Sequence, residues 1–303
     1  MQSPIIVFGS INMDLVVYSD AKPNDGETII GNSFKTFLGG KGSNQAVAAS
    51  KLGANVSFVG KVGSDLYGQK LKEQLNLEKV DTQLLDEIEG ESGVALINVI
   101  ESSSENQIIV IPGANAHVNA DQIDDKTLAS VEILISQLEV PPKQIEKLFS
   151  RARQGHCYRI LNVAPAIEFS NLLFNETDLL VVNEIELEVL AKKKLQDANI
   201  DSIRASVDLL SLAKHQAIVV TLGAQGVYVR DQNKDEHIEA HKVNSVDTTG
   251  SGDCFIGAMA SYLIEDKNLF DASVFANKAA SISVTRKGAS SSMPTKDEVV
   301  NLG

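Results

Sequence analysis

The sequence predicts an α/β protein whose body is a doubly wound, mostly parallel sheet. Three observations carry that expectation. Short runs rich in Val, Ile and Leu recur at Ile5–Phe8, 56–59, 133–138, 160–163, 179–182 and 218–222, as strands covered on both faces should read. Stretches with helical spacing lie between them, at 44–52, 142–153, 184–193 and 202–215, and such alternation favours parallel pairing. Of 303 residues, 43% are hydrophobic and 22% charged, the balance of a globular protein with ample material for a core.

Taken in order, the first run has no basic residue ahead of it and is expected as a first strand, not a secretion signal. Residues 15–17, 27–30 and 34–37 are expected as short antiparallel strands, with a turn at Asn24-Asp25-Gly26. The helix at 44–52 stops at Gly53, and the one at 142–153 stops before Gly155. Residues 94–100 and 107–111, joined by 101–106, read as a second hairpin. Neither hairpin region has a helix to cover it. Pattern alone leaves two readings open: one small sheet projecting from the body, or two unrelated surface hairpins. A strand at 217–223 is followed by a hairpin around 231–236 and by a helix with Phe255, Met259, Tyr262 and Leu263 on one face. No repeat or linker divides the chain, so a single domain over 1–303 is expected.

Lys plus Arg total 27 and Asp plus Glu total 40, a formal net charge of -13. That disfavours a general nucleic-acid binder or a protein held on anionic lipid, both of which need basic surface. Cys157 and Cys254 form no Cys-x-x-Cys pair, which fits a reducing compartment and a cytoplasmic protein. No apolar run approaches the ~20 residues needed to span a bilayer.

The segment Asp247-Thr248-Thr249-Gly250-Ser251-Gly252-Asp253 leads into the helix that carries Phe255. Two glycines let the backbone turn tightly, and the first amides of a helix lack internal partners, so the turn can hold an anion. Asp253 sits on its rim, where a carboxylate can take a proton from an attacking hydroxyl. On these residues alone, a plain helix start capped by Asp253 fits better. The chain lacks a Gly-x4-Gly-Lys-Ser/Thr loop, a strand-linked Gly-x-Gly-x-x-Gly and a His-Glu-x-x-His cluster, which weakens P-loop, dinucleotide and metalloprotease readings. At the other end, Asn12 and Asp14 follow the first strand, Lys41 and Asn44 open the first long helix, and Glu139 ends the third run. Together they offer donors and acceptors suited to a polyhydroxylated small molecule. Taken singly, they also fit turn caps and solvated side chains.

These segments together resemble the PfkB family of carbohydrate kinases. The likeness rests on Gly9-Ser10-Ile11-Asn12-Met13-Asp14, Gly39-Gly40-Lys41-Gly42-Ser43-Asn44-Gln45-Ala46, Asn183-Glu184-Ile185-Glu186, Thr221-Leu222-Gly223-Ala224-Gln225-Gly226, the 247–253 segment and Val284-Thr285-Arg286-Lys287-Gly288-Ala289, in family order across the chain. The resemblance implies a three-layer α/β/α fold with a discontinuous β lid from roughly 14–40 and 92–113. It implies transfer of the γ-phosphoryl group of ATP to the 5-hydroxyl of D-ribose. Asp253 would be the base, with the amides of Gly250, Ser251, Gly252 and Asp253 as the anion hole. Asn12, Met13, Asp14, Gly40, Lys41, Gly42, Ser43, Asn44 and Glu139 would form the sugar site. Asn183, the 221–226 loop, Gly252 and Asn277 would line the nucleotide. Glu186 would order water around Mg²⁺, and Asp247, Thr249, Ser283, Arg286, Gly288 and Ser292 would surround an activating potassium ion. A homodimer paired through the lid is expected. Ser43 and Ser251 replace alanines frequent in the family, and Asn277 stands where many relatives carry His.

Other sugars remain open: fructose, deoxyribose or a keto-deoxy sugar acid. A nucleoside kinase is disfavoured, since the chain has no Trp and no aromatic cluster near the sugar motifs. A non-catalytic sugar sensor need not keep Asp253, the glycine turn and Glu186.

Overall fold

Alternate residues of the first strand, β1 (Ile5–Phe8), enter two different cores: Ile5 and Val7 face one, Ile6 and Phe8 the other. That follows from the period of two along a strand. The computed structural model describes residues 4–100, 105–195, 197, 199–266 and 268–302.

The chain continues through β2 (Asn12–Ser19), β3 (Ser33–Gly39), α1 (Lys41–Lys51), β4 (Val56–Gly63), α2 (Leu66–Leu77), β5 (Leu85–Ile88), β6 (Gly93–Ile100) and β7 (Glu105–Ile111). Next come α3 (Asp125–Leu128), β8 (Ile133–Gln137), α4 (Pro142–Ala152), β9 (Tyr158–Asn162), α5 (Asn171–Glu176), β10 (Leu179–Asn183), α6 (Glu184–Ala191), α7 (Ile200–Asp208) and β11 (Ala217–Thr221). The last part holds β12 (Val227–Arg230), β13 (Asp235–Ile238), α8 (Ser251–Glu265), α9 (Leu269–Ser283) and α10 (Lys296–Val300).

Nine strands form the main sheet in the order β13-β12-β11-β10-β9-β8-β1-β4-β5. Pairing is parallel from β11 across to β5, and β12 and β13 add an antiparallel edge. Helices α1, α2, α8 and α9 cover one face through residues such as Leu52, Leu71, Met259 and Ala276. Helices α4, α6 and α7 cover the other through Phe149, Leu187 and Ile203. Both faces of the parallel strands are therefore dry, as the continuous apolar runs predict. Helix α8 packs closely on α1: a Cβ at Gly257 would stand 2.5 Å from the Gln45 carbonyl oxygen.

The two hairpin regions join in one separate four-stranded sheet, β3-β2-β6-β7. Strand β2 pairs antiparallel with β3 and parallel with β6, which pairs antiparallel with β7. Val16, Leu38 and Ala95 are buried, while Phe34, Leu96, Ile108 and Ile109 are exposed.

Some expectations need correction. Residues 27–30 form no strand; a turn closes from Glu27 N–H to the Asn24 carbonyl and Ile30 is 94% exposed, because β3 alone fills the edge of β2. Helix α7 ends at Asp208 rather than 215, where Leu209 caps it and Ser211 takes a positive φ. Helix α1 starts at Lys41, three residues earlier than its spacing suggests. Residues 101–104 of the expected hairpin connection lie outside the described residues. Among the described residues, no helix is long and apolar enough to cross a membrane.

Candidate active site

Helix α8 starts with an unusual backbone. Gly250 adopts the left-handed region (φ 72°), which a side chain would strain, and its carbonyl accepts the Cys254 amide at 2.8 Å. The Ser251 amide bonds back to the Thr248 carbonyl at 3.2 Å. The amides of Gly252 and Asp253 have no protein acceptor among the described residues. They are the free donors of this helix start, where the macrodipole also favours negative charge. A cleft of about 240 Å³ opens onto them, lined also by Lys41, Asn183, Glu186 and Thr221.

Asp253 is buried at the cleft floor. Its Oδ2 accepts from Asn44 Nδ2 at 3.0 Å and its Oδ1 from Gln45 Nε2 at 2.9 Å, both from α1. Burial pushes its carboxyl above the ordinary range, opposed by the Lys41 ammonium and the two amides. Burial works against the Lys41 ammonium too, but Asp253, Glu139 and Glu186 together hold its pKa above the usual value. One buried cation thus stands among several carboxyl groups, which raises the cost of any further negative charge until a ligand or cation balances it.

The polar groups near Asp253 come from strand ends and the start of α1. Ser10 Oγ donates to Glu139 Oε2 at 2.6 Å, and the Lys41 amide donates to the same oxygen at 3.1 Å. Burial, with Glu139 and Asp253 adding repulsion, pushes Asp14 up to about 7. Asn12 Oδ1 accepts from Asn115 Nδ2 at 2.7 Å, and Asn115 is itself clamped to both backbone groups of Ile11. That leaves the Asn12 amide nitrogen as the free end of the side chain. Asn44 Oδ1 is buried without a donor, an acceptor that a ligand hydroxyl would satisfy. The Met13 side chain lies in the core and Ser43 Oγ closes the turn by bonding the Gly39 and Gly40 carbonyls. Neither side chain is free to touch a ligand; only their backbone could.

On the other wall of the cleft, Asn183 and Glu186 form a capping box at the start of α6: Glu186 accepts from the Asn183 amides, backbone at 2.8 Å and side chain at 3.2 Å. Burial raises the Glu186 carboxyl, with the Asn183 backbone N–H opposing. Thr221 Oγ1 donates to the Val182 carbonyl, and residues 223–225 make a single 3₁₀ turn between β11 and β12. Leu222 is buried. Gly226 lies against the backbone of Ile238 and Ala240, and Asn277 Nδ2 donates to the Glu239 carbonyl at 2.8 Å. The 221–226 loop and Asn277 therefore meet at one corner.

Asp247 ties two loops together, accepting the Thr249 amide and the Gly288 amide at 2.9 Å each. Burial opposes its ionised form, yet these N–H bonds keep its carboxyl below the usual range. Around it, Ser283 Oγ and Ser292 Oγ donate to nearby carbonyls and Arg286 pairs with Glu298 at 2.5 Å. Carboxylate, hydroxyl and main-chain carbonyl oxygens all keep lone pairs here that suit a hard monovalent cation, which prefers such oxygens. Among the described residues, no three His, Cys, Asp or Glu side chains cluster as a metal site. Glu186, a single carboxylate on this cleft, would fit Mg²⁺, which keeps most of its waters and takes few protein ligands.

Gln45, Asn115, Gln137 and Asn162 were not singled out by sequence reasoning. Gln45 lies inside the 39–46 motif, one residue from Asn44; the others are single polar residues in apolar or loop stretches and carry no signal of their own.

The start of α8 thus brings two unpartnered amides and the buried carboxylate of Asp253 to one polar cleft, an arrangement compatible with phosphoryl transfer to a hydroxyl. The family model described as pfkB family carbohydrate kinase matches residues 2–296. The chain is 36% identical to the ribokinase of Haemophilus influenzae over 305 residues, covering 100% of this chain and 99% of that one. It is 35% identical to the deoxyribokinase of Salmonella typhimurium, covering 97% and 96%. The structure of Arabidopsis thaliana ribokinase complexed with ribose and ATP superposes with a TM-score of 0.90 at 30% identity, covering 100% of this chain and 99% of that one. The chain belongs to the pfkB family of carbohydrate kinases, and it is an enzyme that phosphorylates a sugar.

Proposed function

We propose that the protein transfers the γ-phosphoryl group of ATP to the 5-hydroxyl of D-ribose, giving D-ribose 5-phosphate and ADP. The observation that carries this reading is the pairing of Asp253 with Asn44 and Gln45 beside the unpartnered amides of Gly252 and Asp253. Ribokinases among the relatives, one structure with ribose and ATP, support the substrates.

Asn12, Asp14, Gly40, Lys41, Asn44 and Glu139 bind the sugar, Asp14 and Asn12 facing its adjacent hydroxyls. Asp253 takes the proton of the 5-hydroxyl as that oxygen bonds to the γ-phosphorus and the bond to the β-phosphate oxygen breaks. The amides of Gly250, Gly252 and Asp253 stabilise charge on the phosphoryl oxygens; that of Ser251 is spent on Thr248. Asn183, the 221–226 loop and Asn277 line the nucleotide. Glu186 would hold Mg²⁺ through water, and the ion would supply neutralisation of phosphate charge. Asp247, with Thr249, Ser283, Arg286, Gly288 and Ser292, several of them through backbone carbonyls, would hold potassium, and the ion would order the 247–249 turn. The small sheet acts as a lid that keeps water from the phosphate, and its exposed apolar face and edges pair across a two-fold axis in a homodimer. Two buried free cysteines suit a reducing cytoplasm.

Deoxyribose is the second reading, because a deoxyribokinase is as similar as several ribokinases. A coupled ADP-release assay over ribose, deoxyribose and fructose, with and without potassium, tests both. Highest kcat/KM on ribose supports the first; a preference for another sugar overturns it.

A further inference from the structure

The carboxylate of Asp253 is held from behind by a chain of amides that no substrate reaches. Gln45 is fully buried, donates Nε2 to Asp253 Oδ1 at 2.9 Å, and also reaches Asn162 Oδ1 at 3.2 Å. An ionised carboxylate only accepts, so Gln45 must turn its NH₂ toward it and its oxygen away. That oxygen accepts from Gln137 Nε2 at 2.7 Å. Gln137 is also fully buried, and its own oxygen is left with no donor. It rests over Gly9, where a Cβ would stand 2.1 Å away. Asn162 Nδ2 in turn donates to the Val181 carbonyl at 3.3 Å. Gln137 and Gln45 therefore both point their donors toward Asp253, and the unsatisfied acceptor sits at the far end.

We propose that Gln45, pinned by Gln137 on β8, is a positioning residue that holds the Asp253 carboxylate in the orientation needed to take the sugar's proton. The proposal rests on the reading of Asp253 as the base. The anchor is the main sheet, through β8 and β9, and not the small sheet that carries Asn12 and Asp14. The Asp253 carboxylate is thus fixed whatever the small sheet does. Charged hydrogen bonds of this kind are the strong ones and give direction as well as energy.

The consequence is readable in pH. Groups that face Asp253 from each packed element are Lys41 on α1, Asp14 on β2, Glu139 after β8, Glu186 on α6 and Cys254 on α8. All remain in a Gln45→Leu enzyme, so a shift caused by that change reports the lost amide. Removing a donor to the ionised form favours the protonated form. The acidic limb of kcat, measured at saturating sugar and ATP, should move up by about one pH unit. The rate on the plateau should fall about 10- to 100-fold, the usual effect of a reacting group displaced by a fraction of an ångström to an ångström. KM for ribose and for ATP should change less than about 3-fold, because Gln45 touches neither.

Three enzymes decide the matter: Gln45→Leu, Gln137→Leu and Asp253→Asn, each checked for cooperative thermal unfolding. Gln137→Leu leaves Asp253 its amide partner but unpins it, and should shift the limb in the same direction by less. It supplies the test if Gln45→Leu does not fold. If Asp253→Asn loses kcat while the foldable glutamine variant keeps the wild-type limb and rate, the positioning role is wrong and the base reading stands. If Asp253→Asn keeps its kcat, the base reading falls and this proposal falls with it.

Discussion

Gly39 leaves its Cα directly against the carboxyl group of Asp14: a Cβ there would stand 2.1 Å from Oδ1 and 2.2 Å from Oδ2. No real side chain tolerates that distance, so the shape of Asp14's pocket is set by a missing methyl. In a Gly39→Ala enzyme, Asp14 must move, and the proposed sugar site moves with it. We expect the KM for ribose to rise about 10-fold or more, the cost of losing a hydrogen bond to a charged group, with KM for ATP unchanged. Steady-state kinetics on both substrates checks this; an unchanged ribose KM overturns it.

Asp14 also trades stability for binding. Its folded value of about 7 lies above the ordinary 3.8. The folded apo protein therefore holds that proton more tightly than the unfolded chain does. The stability this gives is full below about pH 4 and is lost as pH rises through about 7. Asp14→Asn escapes the penalty. Urea unfolding without sugar should show the variant gaining on wild type from pH 5 to pH 8, by about 2–4 kcal/mol at the upper end. Its affinity for ribose should fall about 10- to 100-fold. A gain independent of pH would show that Asp14 ionisation is not the cause.

Asp253→Asn keeps the shape of the site and removes the base. Ribose binding by calorimetry should survive, while kcat falls about 10²- to 10⁴-fold. A variant with wild-type kcat would remove Asp253 from the chemistry.

Asp247 accepts one hydrogen bond from the Thr249 amide within its own turn and one from the Gly288 amide, which joins that turn to Gly288. Asp247→Ala should abolish activation by potassium and leave a low rate insensitive to it. Rates compared in potassium and in tetramethylammonium salts measure the effect; a full potassium response in the variant removes the ion from this place.

The exposed apolar residues of β7 predict self-association. Light scattering at working concentration should give a dimer for the wild type and a monomer for Ile109→Lys, since Ile109 is 64% exposed on the edge strand. A monomeric wild type would end the idea.

The buried strands were legible because an apolar run covered on both faces has no polar phase to misread. The run at 5–8 is β1 itself, and that at 179–182 became β10 with one residue added. Helix α2 was not, since its buried face is only Gly68, Leu71 and Leu75 while Leu66 and Leu77 at its ends are exposed. Helix α9 was hidden by Ser and Ala, which bury without looking apolar, and β5 by its acidic Leu-Asp-Glu-Ile. In the site, the motif residues Asn44, Lys41 and Asp253 could be read as a set through family resemblance. What could not be read was the connection behind them: Gln137 sits in a strand of apolar residues, and only three-dimensional pairing shows that its amide reaches Gln45.

The bonds from Asn44 and Gln45 to Asp253 cross 209 and 208 residues of sequence. A chain emerging from the ribosome has Asn44 and Gln45 outside long before the start of α8 is made. With Asp253 in its proposed role, no partly synthesised copy has a base until α8 is made and docks on α1, and wasteful turnover of ATP is closed off to fragments and nascent chains alike.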